Sequence, residues 1–151
     1  MGIVIDTNVL VSALLWHGAP HALLKKARMH KIKLVLSTIL IDKFSDVTHR
    51  LKFANRLNRA NRTPVQILRE LQQLADVIVA LPLPQPVCCD PDDDAVLTCA
   101  LAAQVDCVVS GDADLLTMKS FMGMPIISPA DAAANARRNG LVILSPKNMH
   151  R

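Results

Sequence analysis

Gly2-Ile-Val-Ile-Asp6 is an apolar run that stops abruptly on a carboxylate. It reads as a short strand buried on both faces, because a half-exposed strand alternates apolar and polar residues. Thr7-Asn8 follows as a turn and N-cap, and Val9 to Trp16 has helical character. Cys107-Val-Val-Ser110 repeats the pattern: a buried strand, then Gly111-Asp112 as the loop behind it and a helical turn from Ala113 to Met118.

Outward from these two strands, Gly18-Ala-Pro20 breaks the first helix and His21 to His30 forms a second. Leu34-Val-Leu-Ser37 is a strand, and Ser37 or Thr38 caps a helix from about Ile39 to Arg50. Residues 51–62 are basic and rich in Asn, and are either helical or partly mobile. Thr63-Pro64 starts a helix that runs to about Ala75, with Pro in the first turn where its missing N–H costs nothing. Asp76 to Leu81 is a further strand, and Pro82, Pro84 and Pro86 make a stiff connector. Asp90-Pro-Asp-Asp-Asp94 leads into a helix through Gln104. Pro125-Ile-Ile-Ser128 is a last strand, and Pro129-Ala-Asp131 opens an Ala-rich helix to about Asn139, with Gly140 as C-cap. Strands alternating with helices imply βαβ units, hence an α/β fold with a mostly parallel sheet and helices on both faces. The 151 residues suit one domain, 1–140, with a tail over 141–151.

No apolar run reaches the roughly 20 residues of a membrane span, and no basic leader precedes the first strand. The expectation is a cytoplasmic protein with no membrane partner. Cys88, Cys89, Cys99 and Cys107 contain no Cys-x-x-Cys pair, which disfavours a zinc ribbon. They read as small buried hydrophobes, with a redox role for vicinal Cys88-Cys89 as the alternative. Charge is unevenly spread. Residues 25–69 hold twelve basic and two acidic residues, and the rest of the chain holds five basic and eleven acidic. A basic half set against an acidic half suggests a polyanion-binding surface beside a cation site, although a solvated helical face would give the same counts. Lys43, Arg50, Lys52 and Arg56 are the candidates to hold the backbone of such a polyanion.

The acids stand where an α/β sheet forms its sites, at the carboxyl ends of strands near the switch in strand order. Asp6 ends one strand and Asp112 follows another. In the helix after Asp90, the apolar positions Val96, Leu97, Ala100 and Leu101 mark the inward face, and Asp93 precedes Val96 and Leu97 by three and four residues. Asp94 is the next best placed, and Asp90 precedes Asp93 by three. Carboxylates gathered on one side raise one another's pKa unless a cation compensates. Hard oxygen donors suit Mg²⁺ or Mn²⁺, which can activate water against a phosphodiester. Helix capping alone would account for Asp92 to Asp94, and Asp114. Asp6 is harder to explain so, because a charge ending a buried strand needs a partner; Asn8 is either a cap or an orienting group for it.

Val4-Ile-Asp-Thr-Asn-Val-Leu-Val-Ser-Ala-Leu14 resembles the opening motif of PIN-domain nucleases. Cys89-Asp-Pro-Asp-Asp-Asp-Ala-Val-Leu97 is similar to their third acidic motif, and Val108-Val-Ser-Gly-Asp-Ala-Asp-Leu-Leu116 to their fourth, with Met124-Pro-Ile-Ile-Ser-Pro129 behind it. The resemblance is nearest to the branch of toxins of bacterial and archaeal toxin–antitoxin systems. It implies a three-layer α/β/α fold, Mg²⁺- or Mn²⁺-dependent RNA cleavage, a homodimer and a neutralising antitoxin. It puts Asp6, Asp93 and Asp112 on the metal-binding acids, Asp94 as an alternative to Asp93, Asp90 as an auxiliary, and Asn8 and Ser110 on nearby polar positions. The chain departs from the family at the Glu of the helix after the second strand. Glu70 lies too far along, and Lys43 falls on that position with Asp42 beside it. A shift of one residue turns a helical side chain by about 100°, so Asp42 substitutes, Asp46 turns inward, or the site lacks this acid.

Other chemistries fit less well. A phosphatase with an aspartate nucleophile wants a second acid two residues after Asp6, where Asn8 stands. A phosphoacceptor signalling domain wants paired acids near the first strand and a Lys after a late one. No Gly-rich phosphate loop is present. From another class, a catalytically weak RNA-binding module on the same fold stays open, since fold does not fix function.

Overall fold

The computed structural model describes residues 2–15, 18–81, 85 and 90–139, with the backbone but not the side chains of Leu51 and of 136–139. The fold grows from strands β1 (Gly2–Ile5), β2 (Lys33–Ser37) and β4 (Cys107–Val109), whose inner residues are almost wholly buried. β1 lies between the other two and pairs in parallel with both, Ile3 opposite Leu34 on one side and opposite Cys107 on the other. With β3 (Asp76–Ile78), β5 (Ser120–Phe121) and β6 (Met124–Ile127), the sheet has six strands in the order β3-β2-β1-β4-β6-β5. All neighbours are parallel except β5 and β6.

Helix α1 (Thr7–Leu15) packs on α2 (Ala19–Arg28) and α3 (Thr38–His49); α3 touches α4 (Leu51–Arg59) and α5 (Pro64–Leu74), and α8 (Pro129–Asn139) rests on α2. Helix α6 (Pro91–Ala103) lies across β1, β2 and β4, while α7 (Ala113–Met118) meets β6. The result is a three-layer α/β/α sandwich, as right-handed crossovers require when the chain first winds from β1 to β3 and then returns to β4 on the other side of β1. That reversal opens a crevice at the carboxyl ends of β1 and β4.

The local signals explain most element ends. Ser37 Oγ accepts from Leu40 N–H at 3.1 Å and starts α3. Thr63 and Gln66 form a reciprocal capping box at α5, with Pro64 at the first helical position. Asp90 caps α6 by accepting from Asp92 N–H at 2.9 Å, and Gln104 closes that helix in a left-handed conformation. Residues 51–59 are helical, which resolves the two options left by the basic stretch. The strand expected over 76–81 is shorter, Asp76–Ile78, because it is an edge paired with β2 alone; Val79 and Leu81 beyond it are exposed. The hairpin of β5 and β6 was not foreseen. A two-residue strand carries no periodicity, and its turn depends on positive φ at Met122 (50°) and Gly123 (84°).

The core is aliphatic, and Phe44 is its one fully buried aromatic side chain among the described residues. Cys99 and Cys107 are buried free thiols, and burial pushes them up to about 11 and about 12, respectively. They behave as small hydrophobes. The prolines of the connector, Cys88, Cys89, Gly140 and the tail lie outside the described residues. No described helix is long and apolar enough to cross a membrane.

Candidate metal centre

Asp6 takes over where β1 stops. Its N–H still bonds Val109 O of β4 at 3.0 Å, so the backbone delivers the side chain to the mouth of the crevice. There Asp6 Oδ1 accepts from Val9 N–H at 2.9 Å, and Oδ2 accepts from Ser110 Oγ. Ser110, fully buried, also accepts at its Oγ from Asp112 N–H at 3.0 Å. One hydroxyl therefore ties the ends of β1 and β4 together. Burial raises the Asp6 carboxyl above its ordinary range, opposed by the bonds from Ser110, Val9 and Gly111 and aided by the charge of Asp112.

Asp112 starts α7, accepting from Asp114 N–H at 2.7 Å. Asp93 comes from α6, the helix that packs on β1, β2 and β4. It stands in the first turn of α6, three residues inside the cap, where the helix turns it inward with Val96 and Leu97. Only 6% of it is exposed, and its Oδ2 has no hydrogen-bond partner. Burial first, then the charges of Asp112 and Asp90, push its carboxyl up to about 6.

Oxygens of Asp90, Asp93 and Asp112 lie within 4.8 Å of one another. Together with Asp6, Thr7, Asn8 and Asp92 they line a cleft of about 180 Å³. At ~30 Å³ for each water, such a space takes a hydrated ion. The donor set fits a hard divalent cation: carboxylate oxygens only, one of them buried and unpaired, in groups that repel one another when charged.

The same cleft is lined by Lys43 and Val47 of α3 and by Arg50 at the C-cap of that helix. Lys43 Nζ is ion-paired with Asp92 across the opening. Neither the pairing nor Asp92 as its acceptor was read from the sequence, but the spacing of Lys43 and Val47 by four is the signal that would have put those two on one helical face.

The structure thus brings Asp6, Asn8, Asp90, Asp93, Asp112, Lys43 and Arg50 to one cleft, with Ser110 directly behind Asp6. Asp94 is not among the lining residues; its carbonyl accepts from Thr98 Oγ. Asp42 and Asp46 are exposed and also stand outside the lining, so neither fills the place where an acid was expected on α3. Lys52 and Arg56 lie on α4 and line a separate cleft with Phe53, Asn55 and Arg59.

The family model of the PIN domain matches residues 2–114, a span that runs from β1 through the first residues of α7 and contains every carboxylate of the cleft. No curated protein matches the chain.

Proposed function

Because this chain belongs to the PIN-domain family, whose members are generally nucleases, we propose that it is a Mg²⁺- or Mn²⁺-dependent endoribonuclease and the toxin component of a toxin–antitoxin pair. The observation that carries the metal-dependent reading is the buried, unpartnered Oδ2 of Asp93 beside the oxygens of Asp90 and Asp112. A charged carboxylate oxygen left so is costly, and a divalent ion is the partner that removes the cost.

Asp93, Asp112 and Asp90 would hold the ion, with Asp6 at the same cleft. When bound, the ion supplies Lewis acidity at a phosphodiester and makes a water more acidic than bulk water. The chain's own groups do the positioning. Ser110 fixes Asp6 and the Asp112 loop at once. Lys43 of α3 and Arg50 at its C-cap line the same cleft as the carboxylates and suit the non-bridging oxygens of a substrate phosphate. Lys52, Arg56 and Arg59, carried by the next helix, continue the positive surface away from the cleft. RNA as substrate, the antitoxin, the homodimer and a cytoplasmic location rest on the sequence resemblance to the toxin branch.

A second reading, an RNA-binding module of weak or no activity, is favoured by one observation: a lysine, not an acid, reaches the cleft from α3. An RNA-cleavage assay of wild type and Asp93→Asn with Mg²⁺, Mn²⁺ or EDTA separates the two. Loss of a group that only orients a metal ligand costs 10–100-fold, so loss of the ligand itself is expected to lower the rate by at least about 100-fold. Binding without turnover under all metal conditions supports the module. Equal cleavage by both proteins in EDTA sinks the nuclease mechanism.

A further inference from the structure

The cleft contains a cation of its own. Lys43 and Val47 of α3, and Arg50 at the C-cap of that helix, line the same cleft as the carboxylates. The Lys43 ammonium, with 29% of its side chain exposed, is held there by Asp92. The carboxylates are unequally available. Asp90, Asp93 and Asp112 form one compact donor set. Both oxygens of Asp6 already accept hydrogen bonds, from Val9 N–H and Ser110 Oγ. Asp92, the remaining acid among the described residues lining the cleft, is engaged by Lys43.

Two-ion phosphodiesterase sites place their ions roughly 3.5–4 Å apart. A second ion here would need carboxylates beyond the compact set, and the cleft offers only Asp6, whose two oxygens already accept hydrogen bonds, and Asp92, which carries an ammonium. We propose that this cleft takes a single divalent ion and that the Lys43 ammonium stands in the place of a second, the two positive centres facing the same substrate anion. The proposal rests on the metal-dependent reading above, and the two fail in distinguishable ways.

The test is Mn²⁺ binding to the full chain without RNA, followed by calorimetry and by the spin resonance of the bound ion. Wild type is expected to bind one Mn²⁺ in this cleft, lost in Asp93→Asn. Lys43→Gln should still bind one, on the order of tenfold more tightly, since a unit charge repels a divalent ion by about that factor across several ångströms of water-like medium. Lys43→Glu should bind two, with the broadened signal of a coupled pair. Two ions on the wild type, both weakened in Asp93→Asn, overturn the single-ion proposal and leave the metal reading standing. So does one ion on a folded Lys43→Glu, or an unchanged affinity in Lys43→Gln. If Lys43→Glu fails to fold, the wild-type stoichiometry and the Lys43→Gln affinity decide. No binding to wild type removes the metal reading and the proposal with it.

Discussion

Asp6 and Asp93 share one cleft, and each is more than nine-tenths buried. The end of β1 around Asp6 and the first turn of α6 around Asp93 nevertheless treat a carboxylate in opposite ways. Asp6 is surrounded by donors: a backbone N–H on one oxygen and the Ser110 hydroxyl on the other. Asp93 is surrounded by acids, and one of its oxygens is left bare. The first arrangement offsets part of the cost of burying the charge, although burial still holds the carboxyl above its ordinary range. The second costs stability until something positive arrives. A small domain thus pins its site with one acid and leaves a demand for a cation at another.

The largest effect that would break this contrast is on the stability of the metal-free protein. Burial first, then Asp112 and Asp90, raise the Asp93 carboxyl from 3.8 to about 6 in the folded chain. Between those values the native state binds more protons than the unfolded state, so stability falls as pH rises and levels off above about 6. The shift corresponds to on the order of 3 kcal/mol. Asp93→Asn removes the ionisation, so in EDTA it should unfold less readily than wild type at pH 8 by a similar amount, with little advantage near pH 4. Urea titrations at the two pH values check this. Wild-type and variant stabilities that run parallel with pH would show that Asp93 is as well accommodated as Asp6.

Next in size is the response to the ion. At about 100 times the dissociation constant, a ligand specific to the folded state adds roughly 2.7 kcal/mol. For a chain of this length that is a rise of roughly 5–10 °C in Tm. Mn²⁺ should produce it in wild type at pH 7.5, lose most of it below about pH 5, where Asp93 holds a proton, and produce none in Asp93→Asn. An equal Tm rise in Asp93→Asn would place the ion elsewhere.

The contrast was half visible in the sequence. Apolar strands ending in Asp6 and before Asp112, and the phase of Asp93 against Val96 and Leu97, were enough to put three distant acids at one end of the sheet. Hydrophobic period fixes which side of a helix a residue faces. It does not fix which of several acids in a first turn makes which contact: Asp94 reads as the next best placed after Asp93, yet Asp92 is the one that lines the cleft and pairs with Lys43. The orphaned oxygen was equally illegible, because it depends on how closely the starts of α6 and α7 bring their acids together. The β5–β6 hairpin was missed for a local reason, a turn built on positive φ at Met122 with strands too short to alternate. Residues 51–62 carry a helical phase, with Phe53 and Leu57 four apart, but their many basic and Asn residues left a partly mobile segment open. There, burial of Leu57 in the shared core settles the helix.

The smallest expected effect tests the Asp6 half of the comparison. Ser110→Ala leaves Asp6 Oδ2 without its donor and Asp112 N–H without its acceptor, two losses in a buried place. Unmade buried hydrogen bonds of this kind cost about 1–2 kcal/mol. The loss has a direction in pH. The hydroxyl favours the charged form of Asp6, so its removal moves the Asp6 carboxyl still further up and costs more at pH 8 than at pH 4. Mn²⁺ should still raise the Tm of Ser110→Ala, since Asp93 keeps its bare oxygen, while in Asp93→Asn it should not. A Ser110→Ala protein as stable as wild type at pH 8 would mean that Asp6 needs no pinning. The two acids would then differ in neighbours and not in role.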